Sequence, residues 1–222
     1  MQTEFIIREA VAEDTKHAQT IVLEIEESAK IRGTGIAKRT PEYVCKKIEE
    51  GKAVIALSKG GEWAGFCYIE AWGGKSFVAN SGLIVNRAFR GHGLAKKIKA
   101  ATFNLSRKKF PEAKIFGLTT GAAVMKINSD LGYKPVIYSE LTQDEQFWKG
   151  CSSCVNYEIL TSKDRQACIC TAMLYNPKWE QNQKPKRTRW KKRELNKDLS
   201  LFERWVHFKK SVLLKSKSKK NG

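Results

Sequence analysis

Arg90-Gly91-His92-Gly93 sets two glycines around a histidine, directly after an arginine. The apolar run Ser81 to Val85 lies just ahead of it and the basic, helix-like run Leu94 to Lys99 follows. A strand that enters a helix through such a turn leaves several backbone N–H groups unpaired at the helix N-terminus, backed by the helix dipole. Glycines let a bulky anion approach that backbone closely. The chemistry suited to this composition is the binding of a phosphate or pyrophosphate. Two familiar phosphate loops do not fit. The third glycine of a dinucleotide turn, counted from Gly91, falls on Lys96. A Walker loop needs four residues between its glycines and then Lys-Ser/Thr, which is absent.

A second group of reactive side chains lies further on. Cys151, Cys154, Cys168 and Cys170 form a Cys-x2-Cys pair, thirteen residues, then a Cys-x-Cys pair. Two close thiolate pairs on a hairpin can converge tetrahedrally on zinc, which would staple a β extension. On a strand Cys168 and Cys170 share one face, which fits ligation or paired burial equally. No βαβ context surrounds the first pair, so redox catalysis is not expected. Cys45 and Cys67 sit in apolar patterns and read as small buried hydrophobes.

The elements that must position these groups follow from periodicity. Residues 3–10 read as a strand, and Asp14 is expected to cap a helix whose apolar face is Ala18, Ile21, Val22, Ile25 and Ala29. The glycines of residues 32–39 make a loop. Thr40-Pro41-Glu42 starts a second helix, which Gly51 ends. Residues 52–59 and 62–72, joined by Gly60-Gly61, read as a β-hairpin, and residues 76–85 as a further strand. A helix from Gly93 to about Phe110 presents Leu94, Ile98, Ala101 and Leu105 on one face. A strand at 114–120, a helix at 122–132 closed by Gly132, and a last strand region from Tyr133 complete the series. The order predicts an α/β domain over 1–177, with its β extension at 138–177.

Arg90-Gly91-His92-Gly93-Leu94-Ala95 matches the pattern Arg/Gln-x-x-Gly-x-Gly/Ala. It resembles the pyrophosphate loop of the GCN5-related N-acetyltransferases (GNAT), which use acetyl-CoA. The resemblance runs from about residue 3 to 137 and includes the opening residues 6–14, the strand and turn 83–93 and the segment 128–136. It implies a mixed central sheet whose fourth and fifth strands splay into a V. The pantetheine arm of an acyl-CoA co-substrate would enter the V and bond the strand backbone near Leu83 and Val85. Its pyrophosphate would rest on Gly91, His92, Gly93, Leu94 and Ala95, beside Arg90. An N–H near Ile84 or Val85 would polarise the thioester carbonyl.

Many members of the family place a tyrosine general acid where alignment on Leu131-Gly132-Tyr133 puts Asn128. Tyr133 or Tyr138 could substitute, or both could be aromatic core. Glu70, late in its strand, is the candidate base, directly or through water, with a solvated edge carboxylate as the alternative. Gly117-Leu118-Thr119-Thr120 followed by a helix and Leu131-Gly132-Tyr133 resembles the acyltransferase domain of bacterial N-acetylglutamate synthases. That likeness implies acyl transfer to a small amino acid, glutamate by preference, of the arginine-biosynthesis type; acetyl is the default donor and succinyl stays open, since no residue pattern measures the acyl pocket. Arg32, Lys38 and Arg39 are then candidates for holding its carboxylates, or are ordinary surface cations.

The net charge of +18 is unevenly spread over the 222 residues. From Lys178 onward 16 basic and 4 acidic residues give +12, and the 25 basic and 19 acidic residues before it leave +6. The nucleic-acid-like charge therefore belongs to residues 178–222, a basic linker and an amphipathic helix carrying Leu195, Leu199, Phe202, Trp205 and Leu213. That stripe fits docking on its own domain or in a homodimer better than RNA contact. The N-terminus lacks a signal-peptide pattern and no apolar run suits a membrane helix, so a cytoplasmic enzyme is expected. Two other functions stay open: acetylation of a protein or RNA-associated amine, and a non-catalytic CoA- or nucleic-acid-binding module.

Overall fold

The computed structural model describes residues 4–32 and 38–181. Strand β1 (Phe5–Glu9) leads through a 3-10 turn to helices α1 (Ala18–Arg32) and α2 (Pro41–Glu49). Strands β2 (Ala53–Ser58), β3 (Trp63–Trp72) and β4 (Phe77–Val85) follow as a meander. Helix α3 (Leu94–Lys109), strand β5 (Lys114–Thr119), helix α4 (Ala122–Asp130) and strand β6 (Lys134–Val136) come next. Helices α5 (Glu145–Lys149) and α6 (Tyr157–Ser162) precede strand β7 (Thr171–Tyr175) and helix α7 (Lys178–Gln181).

The start of α2 forms as its residues dictate: the Thr40 hydroxyl accepts the Tyr43 N–H at 3.2 Å and proline occupies the first turn. The start of α1 differs from expectation. Asp14 is not its cap; it lies inside the 3-10 stretch Ala12–His17 and accepts the Val11 N–H at 2.8 Å. The Arg8 guanidinium holds the same carboxylate at 2.6 and 3.0 Å, so Asp14 ties β1 to the turn. Burial would raise the Asp14 pKa, but Arg8 and the Val11 amide together bring it below the ordinary carboxylate value.

The strands form one sheet in the order β1-β2-β3-β4-β5-β7-β6, in which only β4 and β5 pair in parallel among the described residues. Helices α1 and α2 cover one face, through Ile21, Ile25, Val44 and Ile48 against Ile55, Phe66 and Tyr68. Helix α3 covers the other, through Leu94, Ile98 and Leu105 against Val54, Cys67, Ile69 and Ile115. Each fully buried aliphatic chain contributes roughly 1.5–3 kcal/mol.

Of the β extension expected over 138–177, only its last strand, β7, forms. Residues 138–162 instead form short helical turns broken at 141–144 and 154–156; Asp144 caps α5 by accepting the Gln146 N–H, and Phe147, Trp148, Tyr157 and Leu160 fold inward. The chain then returns as β7, which inserts between β5 and the short β6. Trp179 of α7 packs against this same cluster and beneath the Lys134 ammonium, 4.6 Å from its ring.

Candidate active site

Strands β4 and β5 pair at Phe77–Lys114, Val78–Ile115 and Ala79–Phe116, and no further. Beyond Ala79, β4 stays bonded to β3 as far as Val85–Gly65, while β5 stays bonded to β7 as far as Thr119–Thr171. The neighbours pull the two strands apart, and a V opens from Asn80 and Gly117 outward. A bulge at Gly82 (φ +66°), where a Cβ would strike the Tyr68 ring at 2.7 Å, bends β4 away from β5. Asn86 donates to Ala64 on β3, so by strand alternation Ile84 faces β3 and the polar backbone of Leu83 and Val85 faces the V. Of the two amides expected to meet the carbonyl, Val85 has the right direction and Ile84 does not.

The glycine turn closes the wide end of that V. Gly91 and Gly93 have φ of +84° and +71°, and a Cβ on either would meet no protein atom within 4 Å. Their requirement is conformational, and the space beside them is open. No side chain caps α3, and the N–H groups of Gly91, His92, Gly93, Leu94 and Ala95 find no acceptor among the described residues. Arg90 is turned away from this cradle: its guanidinium bonds Val85 O at 3.2 Å, Glu24 at 2.8 Å and Ser28 at 2.8 Å. It anchors the turn to α1 and β4. The His92 ring stacks edge-on against Phe5 and its Nδ1 lies 3.0 Å from the Arg90 carbonyl, so it shapes the turn as well.

On the face covered by α2, a charged and aromatic cluster borders the V. Lys47 and Tyr43 both donate to the Glu70 carboxylate. Arg39 donates from Nε to the Tyr68 hydroxyl at 2.5 Å, and its guanidinium lies 5.6 and 5.8 Å from the Tyr43 and Tyr68 rings. Burial opposes the Arg39 charge, but Tyr68, Tyr43 and Glu70 together outweigh it and the guanidinium stays above its ordinary pKa. Burial, then Tyr68 and Glu70, pushes the Tyr43 phenol well up. Lys38 is exposed and its amide donates to Ser153 at 3.0 Å, while the Arg32 side chain lies outside the described residues. Glu70 and Arg39 thus belong to one cluster with Tyr43, Lys47 and Tyr68, three residues that no motif in the sequence singles out.

N-acetylglutamate synthase from Neisseria gonorrhoeae, complexed with coenzyme A and N-acetyl-glutamate, aligns at 16% identity and a TM-score of 0.55, over 79% of this chain and 36% of that one. A GNAT-superfamily phosphinothricin acetyltransferase from Sinorhizobium meliloti with acetyl-CoA aligns at 16% identity and 0.52, over 79% and 89%. Diaminobutyrate acetyltransferase EctA from Paenibacillus lautus, with its substrate and coenzyme A, aligns at 11% identity and 0.52, over 79% and 96%. The chain has the GCN5-related N-acetyltransferase fold. No protein-family model and no curated protein sequence matches it.

Asn128, Tyr133 and Tyr138, the residues considered for a general acid, are all buried. Asn128 is buried and its side-chain oxygen has no partner. An amide of this type does not supply a proton at neutral pH. Tyr133 is buried, donates to Asn80 at 2.9 Å, and has its pKa raised by that burial, so it is a held hydrogen-bond donor. Tyr138 donates to the Cys170 carbonyl at 2.7 Å and stacks on Trp148, away from the V.

The cysteine segment departs from the zinc hairpin expected. Cys151 sits in a 3-10 turn, Cys154 just after it, and Cys168 and Cys170 in the loop ahead of β7. All four border one small cavity of about 30 Å³ with Leu118, Trp148 and Leu160. Yet among the described residues no group of three or more His, Cys, Asp or Glu side chains is placed to hold a metal ion. Burial, reinforced by the neighbouring thiols, raises Cys151 to about 11 and Cys170 to about 12, as expected of packed, protonated thiols. The basic segment and its amphipathic stripe from 182 to 222 lie outside the described residues. No helix among the described residues is long and apolar enough to cross a membrane.

Proposed function

We propose that the chain is an acyl-CoA-dependent N-acetyltransferase that acylates the amine of a small amino acid, with glutamate preferred. The observation that carries this reading is the V that opens at Asn80 and Gly117 and ends on an uncapped turn of free amides. A long thin arm carrying a diphosphate fits both parts at once. The diphosphate lies on the amides of residues 91–95, and the arm bonds the backbone of Leu83 and Val85 in the manner of an added strand. The Val85 N–H is available to the thioester carbonyl as its oxygen becomes negative.

The acceptor approaches from the α2 face. The Arg39 guanidinium, already held against Tyr68, presents its remaining N–H groups to a carboxylate, and Lys38 is next to it. Glu70 carries two donors from Lys47 and Tyr43, which orient it and leave lone pairs to take the amine proton directly or through water. A dicarboxylic amino acid suits two neighbouring cations, which supports glutamate and, with it, a place in arginine biosynthesis. The neighbouring structures, which hold CoA with amino-acid substrates or products, support the same class of acceptor.

A thiol-release assay with acetyl-CoA and succinyl-CoA against a panel of amino acids tests the reading. Turnover with glutamate exceeding that with neutral and basic amino acids is the expected result. Turnover only with basic proteins moves the acceptor to a macromolecule, and CoA binding without turnover on any amine rejects the enzymatic reading.

A further inference from the structure

Lys99 is buried on α3, 2% exposed, with no hydrogen-bond or ion-pair partner among the described residues. Its ammonium lies 3.9 Å from the point where a Cβ would stand on Gly117, and the Asn80 carbonyl is 3.5 Å from that same point. Asn80 and Gly117 are the first positions at which β4 and β5 part, so the Lys99 nitrogen sits at the closed end of the V. The Tyr133 ring, 5.3 Å away, forms its other wall. Glu70, Arg39 and the acceptor cluster lie on the opposite face of the sheet. A charge buried without a partner is costly, and proteins keep one where a ligand completes it.

We propose that Lys99 is the proton donor to the departing coenzyme thiolate. The inference rests on the acyl-CoA reading of the V, since the arm that enters the V carries its sulfur toward this end. The step balances without another reactant. The acceptor nitrogen bonds the acyl carbon, the C–S bond breaks with its electron pair going to sulfur, and the surplus proton on nitrogen leaves through Glu70. The Lys99 ammonium gives a proton to the thiolate, forming CoA-SH and a neutral amine, which solvent reprotonates once CoA departs. The role left vacant by Asn128, and closed to Tyr133 by its bond to Asn80, is thereby filled from α3.

Burial supports this assignment by lowering the Lys99 pKa to about 8, against a smaller opposing effect of Cys67. An acid of that strength is matched to an alkyl thiolate near neutral pH. The titratable groups facing it are the Cys67 thiol from β3 and the Tyr133 phenol after α4, both pushed up by burial and so neutral. From β4 and β5 it meets Asn80 and Gly117, which do not titrate.

The test reads the bound coenzyme itself and needs no acceptor. Free CoA is bound to the full chain and its thiol is titrated by thiolate absorbance, in the wild type and in Lys99→Met. An ammonium beside the sulfur lowers the thiol midpoint by about 1 unit or more, and Lys99→Met abolishes that difference while still binding CoA. Equal midpoints with CoA bound to both overturn the role of Lys99 and leave the acyl-CoA reading standing. Failure of the wild type to bind CoA overturns both. Melting temperature checks the fold of the variant, which should be raised at pH 7 because an unpaired buried ammonium is gone. The wild type carries a second test: CoA should bind several-fold tighter at pH 8 than its analogue with hydrogen in place of the thiol. Equal affinities overturn the pairing.

Discussion

Lys47 on α2 reaches across to Glu70 on β3 and forms an ion pair with it while itself only 3% exposed. Tyr43, one turn earlier on α2, donates to the same carboxylate. The Glu70 carboxylate therefore joins the helix that borders the acceptor side to the strand that borders the V. Glu70→Gln keeps the shape and removes the proton acceptor, so kcat should fall by about 10²-fold or more with KM for acyl-CoA unchanged. Glu70→Leu alone leaves the buried Lys47 ammonium with only the more distant Glu50 carboxylate, 3.9 Å away, and should cost up to about 3 kcal/mol, less than a fully buried pair because Glu70 is partly exposed. The double variant Lys47→Met/Glu70→Leu should recover most of that stability and none of the activity. Denaturant unfolding and steady-state kinetics on the three proteins separate the two roles.

Gly93→Ala isolates the anion cradle from the rest of the fold. A side chain at φ +71° costs about 1–2 kcal/mol in the left-handed region, yet the new methyl meets no protein atom. It would stand where the diphosphate is proposed to lie, so CoA affinity should fall about tenfold or more, beyond any loss of stability. Gly61→Ala is the matched control: φ is +80°, the surroundings are equally open, and the position is the β2–β3 turn. It should lose similar stability and bind CoA normally by calorimetry.

The turn at residues 90–95 is legible in the sequence because its glycines answer a backbone need that few other residues meet. The order of strands and helices through residue 136 is legible for a similar reason, since each element has its own period and punctuation. What escapes is the segment after it. The cysteine spacing draws attention to a hairpin, whereas Asp144 and the inward Phe147, Trp148 and Leu160 make helices, and β7 pairs with a strand more than fifty residues away. Long-range pairing of that kind leaves no local mark. Lys99 escapes as one cation in a basic helix, although Thr102 and Ser106, three and seven residues on, lie buried on the same face. That polar stripe beside Leu94, Ile98 and Leu105 is the signal that could have found it.

Arg39 offers a test of acceptor chemistry. Its guanidinium is held by Tyr68 through Nε and by the Lys38 carbonyl through one terminal nitrogen, and the other makes no hydrogen bond among the described residues. A planar fork fixed in this way recognises a carboxylate with a geometry that an ammonium cannot reproduce. Arg39→Lys should raise KM for a carboxylate acceptor by about tenfold, the equivalent of one charge-assisted bond. KM for acetyl-CoA should stay within the range of the wild type, because the V is lined from β4, β5 and α3.

Asp14 contributes to stability against acid. Its carboxylate joins Arg8 on β1 to the Val11 amide, and its pKa lies below the ordinary carboxylate value once those partners offset burial. A group lowered in the folded state stabilises above its unfolded pKa and loses that contribution as pH falls through the folded one. The wild type should therefore lose stability on acidification below about pH 4, where the unfolded chain begins to take up the proton first. Asp14→Asn keeps the size and weakens both bonds, so it should cost roughly 1–2 kcal/mol at pH 7. Because the variant has no group to titrate there, the gap between the two proteins should narrow as pH falls from 5 to 3. Thermal melts across that range measure it directly, and a gap that stays constant would show that Arg8 and Asp14 are neighbours without being coupled.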